Sequence, residues 1–86
     1  MYKIELTKRA RKIYLKLPEQ VRQVIYKKLL QLAETPFASH HDVKQLQGIK
    51  NAYRLRVGDW RVVYQLHNKI LIIELIKIGH RKEVYR

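Results

Sequence analysis

The chain has 86 residues and no cysteine, and its 19 Lys and Arg outweigh seven Asp and Glu to give a formal net charge of +12. A chain of that length forms one small domain, residues 1–86, burying only about 60–65% of its unfolded surface, and without cysteine it has neither disulfides nor thiolate zinc to brace it, which suits a reducing cytoplasm. No apolar run approaches the roughly 18–20 residues of a membrane span and no signal-peptide pattern opens the sequence, so no membrane partner is expected.

Tyr2, Ile4 and Leu6 alternate with Lys3 and Glu5, the pattern of a half-buried strand. Thr7 is placed to cap a short helix in which Ala10, Ile13, Tyr14 and Leu17 recur at helical spacing. Pro18 suits the first turn of a second helix, where its missing N–H costs nothing, and Val21, Val24, Ile25, Leu29 and Leu32 give that helix one apolar stripe ending at Thr35-Pro36. A polar loop follows to Gln47, with a short strand expected near Leu46. The period then changes to two: Tyr53, Leu55 and Val57 alternate with Arg54 and Arg56, Gly58-Asp59 reads as a type II′ turn, and Trp60, Val62, Tyr64 and Leu66 alternate with Arg61, Val63 and Gln65. His67-Asn68 reads as a second two-residue turn and Lys69 to Ile78 as a long apolar strand. The expected class is α+β, in the order β-α-α-β-β-β(-β), with two N-terminal helices packed on one face of a mainly antiparallel sheet.

That register has a consequence for charge. A two-residue turn at Gly58-Asp59 pairs Val57 with Trp60 and Arg56 with Arg61, so two arginines share one face, with Arg54 two residues away. Directly opposed like charges are destabilising in themselves. A second two-residue turn would set Glu74 opposite Arg61 as partial compensation, and would put Ile70, Ile72, Ile76 and Ile78 on the arginine face as a groove for a partner segment. The basic excess is spread along the chain, +5 over residues 1–43 and +7 over residues 44–86, so it is no appended tail. Charge this far from zero strains a compact fold by self-repulsion and points to a polyanion partner, nucleic acid first.

The chain continues Gly79-His80-Arg81-Lys82-Glu83-Val84-Tyr85-Arg86. Tyr53-Arg-Leu-Arg-Val-Gly-Asp-Trp-Arg-Val-Val-Tyr64, then a strand, Gly-His-Arg and Val-Tyr-Arg, resembles in order and spacing the RelE family of toxins, part of the RelE/ParE superfamily of toxin–antitoxin modules. The likeness covers essentially the whole chain. It implies a cytoplasmic toxin of a type II module, held in check by a cognate antitoxin. The implied activity is that of a metal-independent, cofactor-free endoribonuclease that cuts mRNA in the ribosomal A site by attack of a 2′-hydroxyl on the adjacent phosphate. It also implies residue roles: Arg61 stabilises the phosphate, Arg81 stabilises the phosphate or protonates the leaving group, Tyr85 stacks on and orients a base, and Arg54 and Arg56 match basic residues that are lysines in RelE itself. Lys50, Lys82 and Arg86 are the further basic residues expected to hold RNA beside Arg56.

Two departures from the family pattern carry information. A lysine can lose its proton when cations crowd it, whereas a guanidinium stays protonated, so Arg54 is suited to an electrostatic role. His80 is the available substitute for proton transfer, since imidazole exchanges protons near neutral pH, although a strand-end histidine can equally be structural. The family also carries a further C-terminal helix, which this sequence stops short of at Arg86, putting in doubt any control exerted through it. Trp60 begins a strand on the core face and is expected to pack there, and the loop residues His40 and His41 are poorly placed for metal. The readings left open beside the nuclease are a ParE-like gyrase-poisoning toxin, a non-catalytic nucleic-acid-binding module and an inactive homologue.

Overall fold

The period-two runs become strands, and the computed structural model, which describes residues 1–84, joins them into one five-stranded sheet. In chain order the elements are β1 (Lys3–Leu6), α1 (Lys8–Lys16), α2 (Glu19–Glu34), β2 (Val43–Gln45), β3 (Ala52–Val57), β4 (Trp60–His67), β5 (Ile72–His80) and α3 (Arg81–Val84). The sheet order is β1-β5-β4-β3-β2, with β1 parallel to β5 and every other neighbouring pair antiparallel. This is the expected α+β class. The strand expected near Leu46 is β2, just upstream of that residue, and the end of the chain contributes a turn of helix, α3, in addition to the expected elements.

Local chemistry sets the helix ends. The Thr7 hydroxyl accepts the Ala10 N–H at 3.1 Å, satisfying one of the free donors at the start of α1. Pro18 lies one residue before α2, as its N-cap, rather than inside the first turn. At the other end of α2, His41 Nε2 lies 2.8 Å from the Thr35 carbonyl oxygen, so this loop histidine fastens the helix exit.

Both helices cover one face of the sheet, with a core of Ala10, Leu17, Ile25, Leu29, Leu32 and Ala33 from the helical side against Leu55, Val57, Val62, Tyr64, Leu66, Ile73, Leu75 and Ile78 from the strands. Val24, expected on the α2 stripe, is 52% exposed, and Ala33 takes up the burial at the far end of that stripe.

The β3–β4 hairpin has the expected register, with Val57 opposite Trp60 and Arg56 opposite Arg61. Gly58 has φ +58° while Asp59 is not in the left-handed region, as a type II′ turn requires. The next connection differs from expectation. His67 pairs with Ile72, so the loop spans residues 68–71, with Leu71 at φ +54°, and β5 starts three residues later than the apolar run suggests. A register shift between Val63 and Tyr64 then leaves Ile76 without a counterpart. As a result Glu74 faces Gln65 rather than Arg61, Gly79 faces Arg61, and Ile78 joins the core. Ile70 sits in the loop, so the four isoleucines do not line a groove on the arginine face. A bulge inserts one residue and inverts the facing of everything beyond it, which no alternation count in β5 alone can anticipate.

One core residue is held at a cost. Tyr64 is fully buried, stacked on Tyr53 with ring centroids 5.6 Å apart, and its hydroxyl has no hydrogen-bond partner among the described residues. Burial first, and the neighbouring Tyr53 phenol second, push the Tyr64 hydroxyl well above its ordinary pKa. Removing an unsatisfied buried hydroxyl should therefore stabilise the fold: Tyr64→Phe is expected to gain about 1 kcal/mol at neutral pH, read as a melting temperature higher by roughly 4–8 °C. Above about pH 10 the unfolded Tyr64 releases its proton while the folded one keeps it, so wild-type stability falls as pH rises and the advantage of the variant widens. Melts at pH 7 and pH 10.5 that showed equal or lower stability for Tyr64→Phe would mean the hydroxyl is satisfied in solution.

Candidate nucleic-acid interface

Strand pairing decides which basic residues share a surface. Opposed residues point the same way, so Lys44, Arg54, Val63 and Lys77 form one row across β2, β3, β4 and β5 on the face turned away from the helices, and Arg56, Arg61 and Gly79 form the next row toward the sheet's end. The far end of the same face is acidic: Glu5 of β1 pairs with Glu74 of β5, and Glu74 Oε1 lies 3.1 Å from His67 Nε2. Cations therefore gather at the end where the β3–β4 hairpin turns and β5 runs out.

The arginines differ in how they are held. Arg61 is 6% exposed, and its Nη1 donates to the carbonyl oxygens of Gly58 at 2.8 Å and Trp60 at 2.9 Å. The guanidinium thus curls over its own hairpin and braces the turn. Arg56 is solvent-exposed and its Nε lies 2.6 Å from Asp42 Oδ2, while its backbone N–H donates to the Asp42 carbonyl at 2.9 Å. Arg81 attaches to the same turn as Arg61: its N–H donates to the Asp59 carbonyl at 2.7 Å and its Nε stands 3.8 Å from Asp59 Oδ1, with the side chain 55% exposed. Two arginines 20 positions apart in sequence are thereby fixed to one two-residue turn, Arg61 folded in and Arg81 reaching out.

His80 stands apart from the arginine rows. It is opposite Trp60 and so points to the helix-side face, where its ring meets the indole edge-on with centroids 5.5 Å apart. Its Nδ1 accepts the Lys82 N–H in a long contact of 3.4 Å. Trp60 is half-buried against the core, as the alternation implied. Lys82 is exposed on α3, and Lys50 is exposed in the loop before β3, its carbonyl accepting from Gln65 Nε2 at 2.9 Å. Tyr85 and Arg86 lie outside the described residues.

The site thus brings together Arg54, Arg56, Arg61 and Arg81 around the hairpin, and it adds two residues the sequence reading missed. Lys44 falls in the stretch expected as a polar loop, and Lys77 lies within the expected long apolar strand without being singled out there. A lysine amid Ile72 to Ile78 was itself the signal of an irregular register, since an unpaired ammonium is too costly to bury. Among the described residues no group of three or more His, Cys, Asp or Glu could hold a metal ion, and no helix is long and apolar enough to cross a membrane.

Known proteins resemble this chain in sequence and in fold. The mRNA interferase toxin RelE of Escherichia coli is 32% identical over 88 residues, covering 98% of this chain and 90% of that protein. The chain belongs to the RelE family of toxins. The sequence model of the family described as "ParE toxin of type II toxin-antitoxin system, parDE" matches residues 4–85. The isolated E. coli RelE toxin superimposes with a TM-score of 0.81 at 29% identity, covering 99% of this chain and 92% of that one. The toxin of the Pyrococcus horikoshii RelE–RelB complex does so with a TM-score of 0.79 at 28% identity, covering 93% and 94%. The intact E. coli RelBE toxin–antitoxin complex contains a chain matching at a TM-score of 0.79 and 29% identity, covering 93% and 96%.

In this RelE-family chain, Arg61 is a brace as well as a charge. Arg61→Ala is expected to lower stability by about 1–3 kcal/mol, because two turn carbonyls lose a charged donor, whereas Arg56→Ala, which breaks an exposed pair, should cost no more than about 1 kcal/mol. Urea denaturation of the two variants checks this, and equal losses would deny Arg61 its structural part.

Proposed function

We propose that this protein is the toxin of a type II toxin–antitoxin module and an endoribonuclease that acts in the cytoplasm on mRNA in the ribosomal A site, with a cognate antitoxin as its inhibitor. The observation that carries the reading is the attachment of Arg61 and Arg81 to the single Gly58-Asp59 turn, at the cationic end of a sheet whose relatives include proteins named mRNA interferases. Relatives solved as toxin–antitoxin complexes support the antitoxin partner.

In the proposed reaction the RNA backbone crosses the hairpin end of the sheet. The 2′-oxygen attacks the adjacent phosphorus as its proton is withdrawn, the P–O5′ bond breaks, and the 5′-oxygen leaves with a proton, giving a 2′,3′-cyclic phosphate and a 5′-hydroxyl. No metal or cofactor is required, because fixed cations can stabilise the charge that builds on the crowded phosphate. Arg81, exposed and held at 3.8 Å by one carboxylate, is free to swing onto the scissile phosphate. Arg61 supplies an immobile positive charge beneath it. Arg54, with Lys44 and Lys77 in the same row, holds flanking phosphates, as does Arg56 once RNA displaces Asp42. Tyr85 stacks on a base, and Lys50, Lys82 and Arg86 extend the backbone contact. His80, next to Arg81 in the chain but facing Trp60, reaches the reaction only around the end of the sheet; there its imidazole is suited to taking up the proton of the attacking 2′-hydroxyl.

So sparse a site depends on a partner to hold the mRNA in its reactive geometry. The ParE description of the matching family favours one alternative, a toxin that acts on gyrase. A cell-free translation reaction with mRNA ends mapped by primer extension separates the two. New ends within codons are expected only with ribosomes, and Arg81→Ala should reduce them by at least about 100-fold without altering the melting temperature. No new ends from folded wild-type protein, with loss of supercoiling activity in a gyrase assay, would replace the nuclease reading with the gyrase one.

A further inference from the structure

The sheet's outer face gathers Lys44, Arg54, Arg56, Arg61, Lys77 and Arg81 out of the chain's 19 Lys and Arg. Another concentration lies on the opposite side of the molecule, on α1, whose nine residues Lys8–Lys16 read KRARKIYLK. Ala10 is buried and Ile13 and Tyr14 are half-buried against the sheet, while Lys8, Arg9, Arg11, Lys12 and Lys16 are all exposed. At about 100° per residue the five cations occupy one arc of about 160°, opposite the buried stripe, and run about 12 Å along the axis.

Nothing in the fold explains this helix surface. Among the described residues none of the five cations forms an ion pair, and the first turn contains no acidic residue. Lys8, Arg9 and Arg11 stand at the end of the helix where the macrodipole disfavours positive charge. Lys8–Lys12 and Lys12–Lys16 are like-charged pairs at i,i+4, and Lys8–Arg11 and Arg9–Lys12 at i,i+3, each of which opposes helix formation. A helix that breaks several local rules without internal compensation is expected to be compensated by something outside the chain.

We propose that the cationic face of α1 is a second RNA-binding surface, taking the phosphate backbone of double-stranded RNA while the hairpin end of the sheet takes the strand to be cut. The inference rests on the RNA reading of the protein given above. A backbone ligand fits better than a protein one because the exposed arc offers a single large apolar side chain, Leu15 at 58% exposure, and no cluster that could serve as a buried anchor. Phosphate contacts need no such anchor; they need separated cations on a convex surface, with affinity drawn from counterion release. The helix layer lies between the two cationic surfaces in a molecule of 32 × 27 × 25 Å, so both can be occupied at once by a folded RNA that presents a single strand.

The test uses a 16-base-pair RNA hairpin stem as probe and fluorescence anisotropy between 50 and 200 mM KCl. The variant Arg9→Gln/Arg11→Gln/Lys12→Gln/Lys16→Gln keeps helix propensity and is expected to melt no lower than wild type. It should bind the stem at least about 10-fold more weakly at 100 mM KCl, with a salt slope shallower by about 2 to 3. Arg54→Gln/Lys77→Gln, on the sheet face, should bind the stem within about threefold of wild type, since it leaves α1 intact. Unchanged affinity and slope in the α1 variant would overturn the proposal. So would an equal loss in the sheet-face variant, or an α1 variant that keeps the stem but loses an acidic antitoxin peptide. Failure of the nuclease reading shows separately, as absence of cleavage by wild type, and leaves the duplex measurement standing.

Discussion

Where β3 turns into β4, two guanidinium groups are set directly opposite each other, and the fold has to answer their repulsion before the hairpin can close. It answers each one differently. Arg56 is turned toward Asp42, which meets it with both carboxylate and backbone carbonyl, and Arg61 is folded onto the carbonyls of its own turn. Because Gly79, without a side chain, is the residue across from Arg61 on β5, no bulk on that side competes with the buried guanidinium. Asp59 completes the arrangement by receiving Arg81 from the start of α3. The Gly58 turn, the register of both hairpin strands and the placing of α3 are therefore one linked problem with one solution, and the cationic end of the sheet is its result.

Much of this was readable in the residues and some of it was not. Thr7, the apolar spacing of Ile25, Leu29 and Leu32, and the alternation on either side of Gly58-Asp59 each point locally to the element that forms, so helices, hairpin and the Arg56–Arg61 pairing follow from short-range rules. What failed was long-range or irregular. The loop at residues 68–71 and the bulge opposite Val63 are two deviations in the same strand pair, and together they changed the partner of Glu74, sent Ile78 into the core and brought Lys77 to the surface. The site residues were legible by type but not by posture. That Arg61 is buried and Arg81 exposed, or that His80 faces Trp60 instead of the arginines, depends on which oxygen or ring each side chain meets.

The molecule distributes its charge by layer. The sheet's outer face is polar along its length, with Glu5, Glu74 and His67 at one end and the arginine rows at the other, so a polyanion lying on it is oriented as well as attracted. The helical layer carries charge of one sign on α1. Between them the core is almost wholly apolar, with the buried Tyr64 hydroxyl an exception that finds no partner among the described residues.

The pairing of β1 with β5 bears on how the chain is made. The first strand to leave the ribosome lies in the sheet beside the last, and everything from α1 to β4 is synthesised between them. Contacts of such sequence separation form late. Until Ile72 to Leu75 have emerged, β1 has no neighbour to bond to, and Ile73, Leu75 and Ile78 are missing from beneath the helices. The sheet therefore closes only after every element from α1 to β4 is in place between its two parallel strands, and the cationic end of the sheet, where β5 meets the hairpin, takes its shape with that last pairing.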